Sequence, residues 1–168
     1  CSSDLINDVT FVENCTNIIK AWKGDREAWS NADILCFIQG QINADVLSYS
    51  KSNTIQLYLL GIEFSETAIV ITSNCVYLIT SESKAKNYLT PMVEKVKAKN
   101  TMECDVKVLT RKKNTPNEAV YEELKSAFAA SFEGKKLGLF LKEKEALTGK
   151  FVTEFFNEIG RASCRERV

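Results

Sequence analysis

Two apolar, β-branched segments joined by two polar residues constrain the fold of this 168-residue chain more than any other feature. Residues 67–72 and 75–80 are rich in valine, isoleucine and threonine, which favour strands. Ser73 and Asn74 lie between them and can form a tight turn, although Ser-Asn favours such a turn less strongly than Asn-Gly does. The sequence therefore predicts a β-hairpin.

Helical and strand patterns alternate on both sides of this hairpin. The other segments with strand character are 32–39, 46–49, 106–110 and 136–141. Apolar residues recur at helical spacing in 11–22, 52–60, 84–97 and 121–132, and again from 151 to 156. This order predicts an α/β fold, a single lobe with a mostly buried mixed β-sheet flanked by helices.

Start and stop signals mark several of the predicted helices. Thr10 and Glu13 can form a capping box at the start of the first helix. Pro91 lies inside the third helix and predicts either a kink or a restart there. Thr115 offers an N-cap hydroxyl directly before Pro116. The helix that follows carries one apolar face, formed by Tyr121, Leu124, Phe128 and Phe132.

The chain divides into one lobe and two short ends. No internal repeat, low-complexity run or linker rich in proline, glycine and serine interrupts it. We expect an unstructured start over residues 1–10, one lobe over residues 11–157 and a tail over residues 158–168. The tail concentrates three arginines in its last eight residues and resembles the translation of a short-read sequencing adapter. We interpret it as a sequencing-adapter artefact or a disordered tail.

The chain contains no histidine, which excludes several kinds of active site. Neither a Ser-His-Asp triad nor a Cys-His pair can form, and no zinc site can include a histidine ligand. The internal cysteines are widely spaced without a Cys-x-x-Cys pair, so they predict reduced thiols rather than a disulfide framework. Lys and Arg number 22, as do Asp and Glu, so no bulk charge attracts nucleic acid. Apolar runs such as residues 34–38 are far shorter than the ~20 residues that cross a bilayer.

A few groups of residues are candidates for chemistry, but each has a simpler structural explanation. Trp22 and Trp29 bracket a charged segment, and packing explains both of them. The basic runs, which are typical of solvated loops, are 111–113, 135–136 and 142–144. The carboxylates near predicted strand ends, where a pair could act as acid and base, are Glu63, Glu66, Asp105 and Asp33. Nothing in their spacing brings them together, so we predict no catalytic, cofactor or metal site.

Residues 49–64 form the most distinctive string, which begins Tyr-Ser-Lys-Ser and ends Leu-Leu-Gly-Ile-Glu-Phe. It resembles a turn and helix in the N-terminal lobe of the large subunit of FACT, the histone chaperone that facilitates chromatin transcription. Similar strings lie on both sides in the family's order, at 22–23, 31–34, 67–70, 88–92 and 134–140. The resemblance spans roughly residues 11–157. Tyr58, Leu60 and Ile62 stand where the family usually has tryptophan, phenylalanine and tyrosine, which is typical of a divergent member.

The resemblance implies a fold like the N-terminal domain of creatinase and prolidase, the smaller lobe of the pita-bread aminopeptidases. In the peptidases the metal ligands and catalytic residues belong to the following lobe, and the FACT family is considered catalytically silent. The resemblance therefore implies a non-catalytic binding lobe of a FACT-type chaperone that reorganises nucleosomes during transcription, replication and repair. The implied partners are histones and the small FACT subunit, through the full-length protein, on chromosomes in the nucleus. No cofactor, membrane or sequence-specific nucleic acid is expected.

Two alternatives stay open from the sequence. The chain could be the N-terminal lobe of a true creatinase- or prolidase-type metallopeptidase whose catalytic lobe is missing, or a structural lobe without a partner of its own. Downstream sequence separates the first alternative from the chaperone. Histidine and carboxylate metal ligands would support the peptidase, whereas a degraded site followed by histone-binding modules and an acidic tail would support the chaperone.

The origin of the tail can be tested at the level of the gene. We expect genomic DNA amplified across the codon for Asn157 to encode a sequence different from residues 158–168. Sequencing of independent clones checks this directly. Clones that encode Glu158 to Val168 unchanged would show that the tail is natural.

Overall fold

The computed structural model describes residues 6–40, 51–112, 116–134, 136–138 and 149–162. In these ranges the elements follow in the order α1 (Asp8–Gly24), β1 (Ile34–Gln39), α2 (Lys51–Leu60), β2 (Thr67–Ile71), β3 (Cys75–Ser81), α3 (Glu82–Lys84), α4 (Thr90–Lys99), β4 (Asp105–Arg111), α5 (Glu118–Ala130), β5 (Leu137–Gly138) and α6 (Lys150–Ala162). A 3₁₀ turn spans Arg26–Trp29, and a π-helical segment spans Ala85–Leu89.

The predicted hairpin is confirmed and lies in the middle of the sheet. β2 and β3 pair antiparallel, and Ile71 opposite Val76 is the last pair before the turn. The backbone N–H of Thr72 donates to the carbonyl oxygen of Cys75 at 2.8 Å. The hydroxyl oxygen of Thr72 accepts from the backbone N–H groups of Asn74 and Cys75, at 3.3 and 3.0 Å. This threonine therefore adds the bonds that make a weak Ser-Asn turn effective.

The hairpin belongs to a five-stranded mixed sheet with the order β4-β3-β2-β1-β5. β1 is antiparallel to β2, whereas β4 is parallel to β3 and β5 is parallel to β1. All strands except β2 therefore end at the same edge, which we call the carboxyl edge, and begin at the amino edge. Helices cover both faces, so the predicted α/β fold with a mixed, mostly buried sheet is confirmed.

The three central strands are buried on both faces. Every residue of β1 and β2 is buried, and only the last residue of β3 is not. Because successive side chains of a strand point to opposite faces, alternate residues enter two separate cores. Leu35 and Ile69 belong to the first core, whereas Cys36 and Val70 belong to the second.

The helices α1, α2 and α4 cover the first face of the sheet. Their completely or almost completely buried side chains include Phe11, Cys15, Trp22, Leu59 and Met92. Gly61 directly follows α2 and has a φ of 76°, a conformation that a residue without a Cβ adopts at little cost. The predicted first helix, second helix and glycine stop are therefore confirmed.

Pro91 is accommodated by a change in helix type. The π-helical segment precedes α4, and the backbone N–H of Thr90 donates to the carbonyl of Ala85, five residues back. Pro91 then lies in the first turn of α4, where its missing N–H has no helical partner to lose. The predicted restart at Thr90 is therefore confirmed, although the chain stays helical through it.

The helices α5 and α6 cover the second face. Their buried side chains include Tyr121, Leu124, Phe128, Phe151 and Phe155. The rings of Tyr121 and Phe155 meet edge to face with centroids 6.4 Å apart. The Nζ of Lys125 pairs with a carboxylate oxygen of Glu158 at 2.9 Å. An aromatic core and an ion pair therefore join the last described helix to the rest of the lobe.

The structure corrects the predicted beginning of the lobe. α1 begins at Asp8, and the side-chain oxygen of its N-cap Asn7 accepts from the backbone N–H of Thr10 at 3.1 Å. Thr10 is thus inside the helix and not its cap. Ile6 is also buried, so the fold includes residues that we expected to be unstructured.

The structure also corrects the predicted start of α5. α5 begins at Glu118, and its N-cap is Asn117, whose side-chain oxygen accepts from the backbone N–H of Lys112 at 3.0 Å instead of capping the helix. Thr115 lies outside the described residues. α6 continues to Ala162, and Ile159 is buried, so the part of the tail that the structure describes is helical.

Two predicted strand segments cannot be compared in full. Residues 46–49 lie outside the described residues, and of 136–141 the structure describes only the first three, which include β5. Among the described helices, none combines the length and apolar character that a membrane crossing requires.

The close approach of β5 to β1 can be tested with a pair of glycine substitutions. A Cβ at Gly138 would lie 2.8 Å from both the Cβ of Ala32 and the carbonyl oxygen of Ile34. We expect Gly138→Ala to lower the free energy of unfolding by about 1–3 kcal/mol, measured by urea denaturation. A Cβ at Gly24 would meet nothing within 4 Å, so Gly24→Ala should change stability by less than about 1 kcal/mol. Equal changes in the free energy of unfolding for the two variants would contradict the close packing of Gly138 against Ala32 and Ile34.

Candidate functional site

Trp22 and Arg26 both bind the backbone just before β1. The indole N–H of Trp22 donates to the carbonyl oxygen of Ala32 at 2.9 Å, and the ring is fully buried. The guanidinium of Arg26 donates to the same oxygen at 3.1 Å. Trp29 packs against the first core from the 3₁₀ turn. The packing interpretation of both tryptophans is therefore confirmed.

Asp33 is a buried carboxylate with several donors around it. Its side chain is 1% exposed, and its Oδ1 accepts from Arg26 at 2.6 Å. Its Oδ2 accepts from the backbone N–H of Lys136 at 2.8 Å, directly before β5. The hydroxyl of Ser131, at the end of α5, donates to the backbone carbonyl of Asp33. Asp33 therefore joins three parts of the chain and is not available as an acid or base.

Phe132 stacks on the guanidinium of Arg26 and corrects a prediction. α5 ends at Ala130, so Phe132 is not on its apolar face, and its φ of 50° is left-handed. The guanidinium of Arg26 lies 3.9 Å from the centroid of the Phe132 ring. The same ring meets Trp22 edge to face at 5.3 Å, while 41% of the residue stays exposed.

Arg111 at the carboxyl edge is held in the same way as Arg26, by a backbone carbonyl and an aromatic ring. It donates to the backbone carbonyl of Glu66 at 3.0 Å and lies 3.8 Å over the ring of Phe151. Its Nε is buried and forms no hydrogen bond with any other residue that the structure describes. Burial raises the pKa of Tyr121 and lowers that of Arg111. Of the predicted basic run, Arg111 is therefore structural, Lys112 is exposed, and Lys113 lies outside the described residues.

The candidate carboxylates do not come together. Asp33 and Asp105 precede or begin strands at the amino edge, three strand positions or about 14 Å apart, whereas Glu66 precedes β2 at the carboxyl edge. In the ranges that the structure describes, no three Cys, Asp or Glu side chains are grouped so that they could hold a metal ion. Asp33, Asp105 and Glu66 therefore form no acid–base pair with one another.

The described cysteines are poor nucleophiles. Burial raises the pKa of the thiols of Cys15 and Cys36, and it raises that of Cys75 to about 11. A thiol with a raised pKa carries little thiolate, the reactive form, near neutral pH. Cys104 is half-buried, and its pKa is also raised by burial.

A groove at the amino edge is the feature that sequence reasoning missed. Two adjoining cavities of about 260 and 270 Å³ share Met102, Glu103 and Cys104 as a common wall. α1 and the hairpin turn complete the first cavity, and α4 with the start of β4 completes the second. The walls come from three separate parts of the chain, residues 16–23, 73–74 and 96–106, so local sequence patterns carry no signal for the groove.

The chain matches the family of FACT complex subunit SPT16 N-terminal lobe domains over residues 6–168. It is 32% identical over 154 residues to the FACT complex subunit SPT16 of Mycosarcoma maydis, covering 89% of this chain and 14% of that protein. It is 28% identical over 166 residues to the FACT complex subunit ctc-2 of Neurospora crassa, covering 96% of this chain and 15% of that protein. This chain belongs to the FACT SPT16 N-terminal lobe family.

Solved structures of this family have the same fold. The N-terminal domain of FACT complex subunit SPT16 from chickpea superimposes with a TM-score of 0.76 at 21% identity, over 96% of this chain and 36% of that one. The corresponding domain from Eremothecium gossypii gives 0.73 at 24% identity, over 94% of this chain and 34% of that one. The chain thus spans about a third of these domains and 14–15% of the curated FACT SPT16 relatives named above. Membership in the FACT SPT16 N-terminal lobe family also confirms the prediction that the chain is not an enzyme.

The role of Asp33 in this FACT SPT16 lobe can be tested by removing its charge. Asp33→Asn keeps the size of the side chain but turns an NH₂ group toward N–H donors. We expect the free energy of unfolding to fall by about 2–4 kcal/mol in urea denaturation, because the charge of Arg26 loses its partner. The exposed Glu27→Gln is the matched control and should change stability by less than about 0.5 kcal/mol. An equally small change for Asp33→Asn would contradict a structural role.

Proposed function

We propose that this lobe is a non-catalytic binding module of a FACT-type histone chaperone that reorganises nucleosomes during transcription, replication and repair. The observation that carries the proposal is the family match over residues 6–168, which the fold of the two SPT16 domains supports. The absence of histidine in the sequence and the separation of the candidate carboxylates agree with a binding role.

The partners follow from membership in a complex. The relatives are named as FACT complex subunits, so we propose that the full-length protein assembles with the small FACT subunit and with histones. Its proposed location is the nucleus, on chromosomes. The metallopeptidase alternative has less support, because the matched relatives are FACT complex subunits.

The near-zero net charge of this lobe indicates that it contributes little to histone affinity by itself. Without residues 158–168 the chain has 19 Lys and Arg and 20 Asp and Glu, so it is close to neutral. Histones are strongly basic, and a neutral surface provides no long-range attraction for them. Tight histone binding would therefore come from other parts of the full-length protein.

This proposal predicts weak histone binding and no catalysis by the isolated chain. We expect isothermal titration with core histones at physiological salt to give a Kd weaker than about 1 µM. We also expect no turnover of a proline-containing peptide when divalent metal is added. Hydrolysis by the pure chain would contradict a non-catalytic lobe, whereas a submicromolar Kd would contradict the minor role assigned to this lobe in histone binding.

A further inference from the structure

The groove at the amino edge is large enough for a short stretch of peptide. Its two cavities, about 260 and 270 Å³, adjoin along Met102, Glu103 and Cys104. Together they fall within the roughly 300–1,000 Å³ of typical ligand sites. Ile19 and Met102 provide apolar surface in the first cavity, whereas Val96 and Val106 beside the second are almost fully buried. An apolar side chain can therefore enter the groove.

Positive charge is concentrated in the first cavity. Lys20 and Lys23 lie on the same side of α1, three residues apart, and Glu103 is the single acidic residue in its wall. Lys23 is held in place because its Nζ donates to the carbonyl oxygen of Ser73 at 2.8 Å. Within the described residues, Lys20 forms no ion pair. The hairpin turn thus fixes one ammonium group at the cavity, and α1 places a second beside it.

The second cavity carries a weaker and opposite charge. Lys97 contributes one positive charge there, against the carboxylates of Glu103 and Asp105. The side chain of Asp105 accepts from the backbone N–H of Val106 at 2.9 Å, which satisfies part of its hydrogen-bonding capacity. The strongest electrostatic selectivity of the groove therefore lies at the Lys20 and Lys23 end.

We propose that this groove binds an acidic peptide segment that carries an apolar side chain. The carboxylates of the segment pair with Lys20 and Lys23, and the apolar side chain packs on Ile19 and Met102. This inference goes beyond the proposed chaperone role, because histones are basic and the first cavity repels them. The site would instead recognise an acidic region of another protein.

The test uses fluorescence anisotropy with labelled peptides and the whole chain. The probe is a six-residue peptide of alternating glutamate and leucine, which spans about 20 Å when extended. One comparison peptide replaces glutamate with lysine, and another replaces leucine with serine. We expect the glutamate–leucine peptide to bind, the lysine peptide not to bind, and the serine peptide to bind at least about fivefold more weakly.

Charge reversal on the protein provides the matched test. We expect the double variant Lys20→Glu with Lys23→Glu to weaken binding of the glutamate–leucine peptide at least about tenfold. The control pair, Lys86→Glu with Lys112→Glu, changes the net charge equally at exposed positions near the carboxyl edge and should leave the affinity within about twofold. Glu103→Lys should instead tighten binding, a gain that a folding defect does not produce.

Several results would overturn the proposal. These are absence of binding to the unmodified chain, equal binding of the lysine peptide, or an equal loss in the control pair. Duplex DNA that binds more tightly than the peptide and loses affinity in the Lys20 and Lys23 double variant would assign the groove to nucleic acid. Weak histone binding in the separate titration leaves this result unaffected, so the two proposals fail independently.

Discussion

Burial of the three central strands on both faces is the constraint on which the rest of the lobe depends. β1, β2 and β3 place apolar side chains alternately into two cores, so neither face tolerates solvent. Each buried aliphatic side chain contributes roughly 1.5–3 kcal/mol relative to an exposed one, and only helices on both sides can supply that cover. α1, α2 and α4 must therefore pack on one face, and α5 and α6 on the other.

A second constraint fixes how the sheet is extended beyond β1. β5 is only two residues long in the described chain, so its backbone hydrogen bonds to β1 contribute little stability by themselves. Asp33 compensates by accepting from the backbone just before β5 while it pairs with Arg26. Gly138 then allows the close approach to Ala32 that this geometry requires. A buried charge and a missing Cβ thus act together at the same end of the sheet.

Elements whose determinants are local could be predicted from the sequence, and those with distant determinants could not. The hairpin, α1, α2 and the restart at Thr90 follow from propensity, spacing and proline chemistry within a few residues. The left-handed conformation of Phe132 accompanies packing against Trp22 and Arg26, which are distant in the sequence. The groove depends on three chain segments, which only the folded topology assembles.

The use of its polar groups explains why this lobe is suited to docking rather than to reaction. Catalysis requires titratable groups that face a site and stay free to exchange protons. Here Asp33 is occupied by backbone and guanidinium donors, Arg111 is stacked on Phe151, and the most buried thiols are protonated. The charges at the groove, by contrast, are exposed lysines on α1, Lys20 and Lys23. Such groups attract a partner of opposite charge.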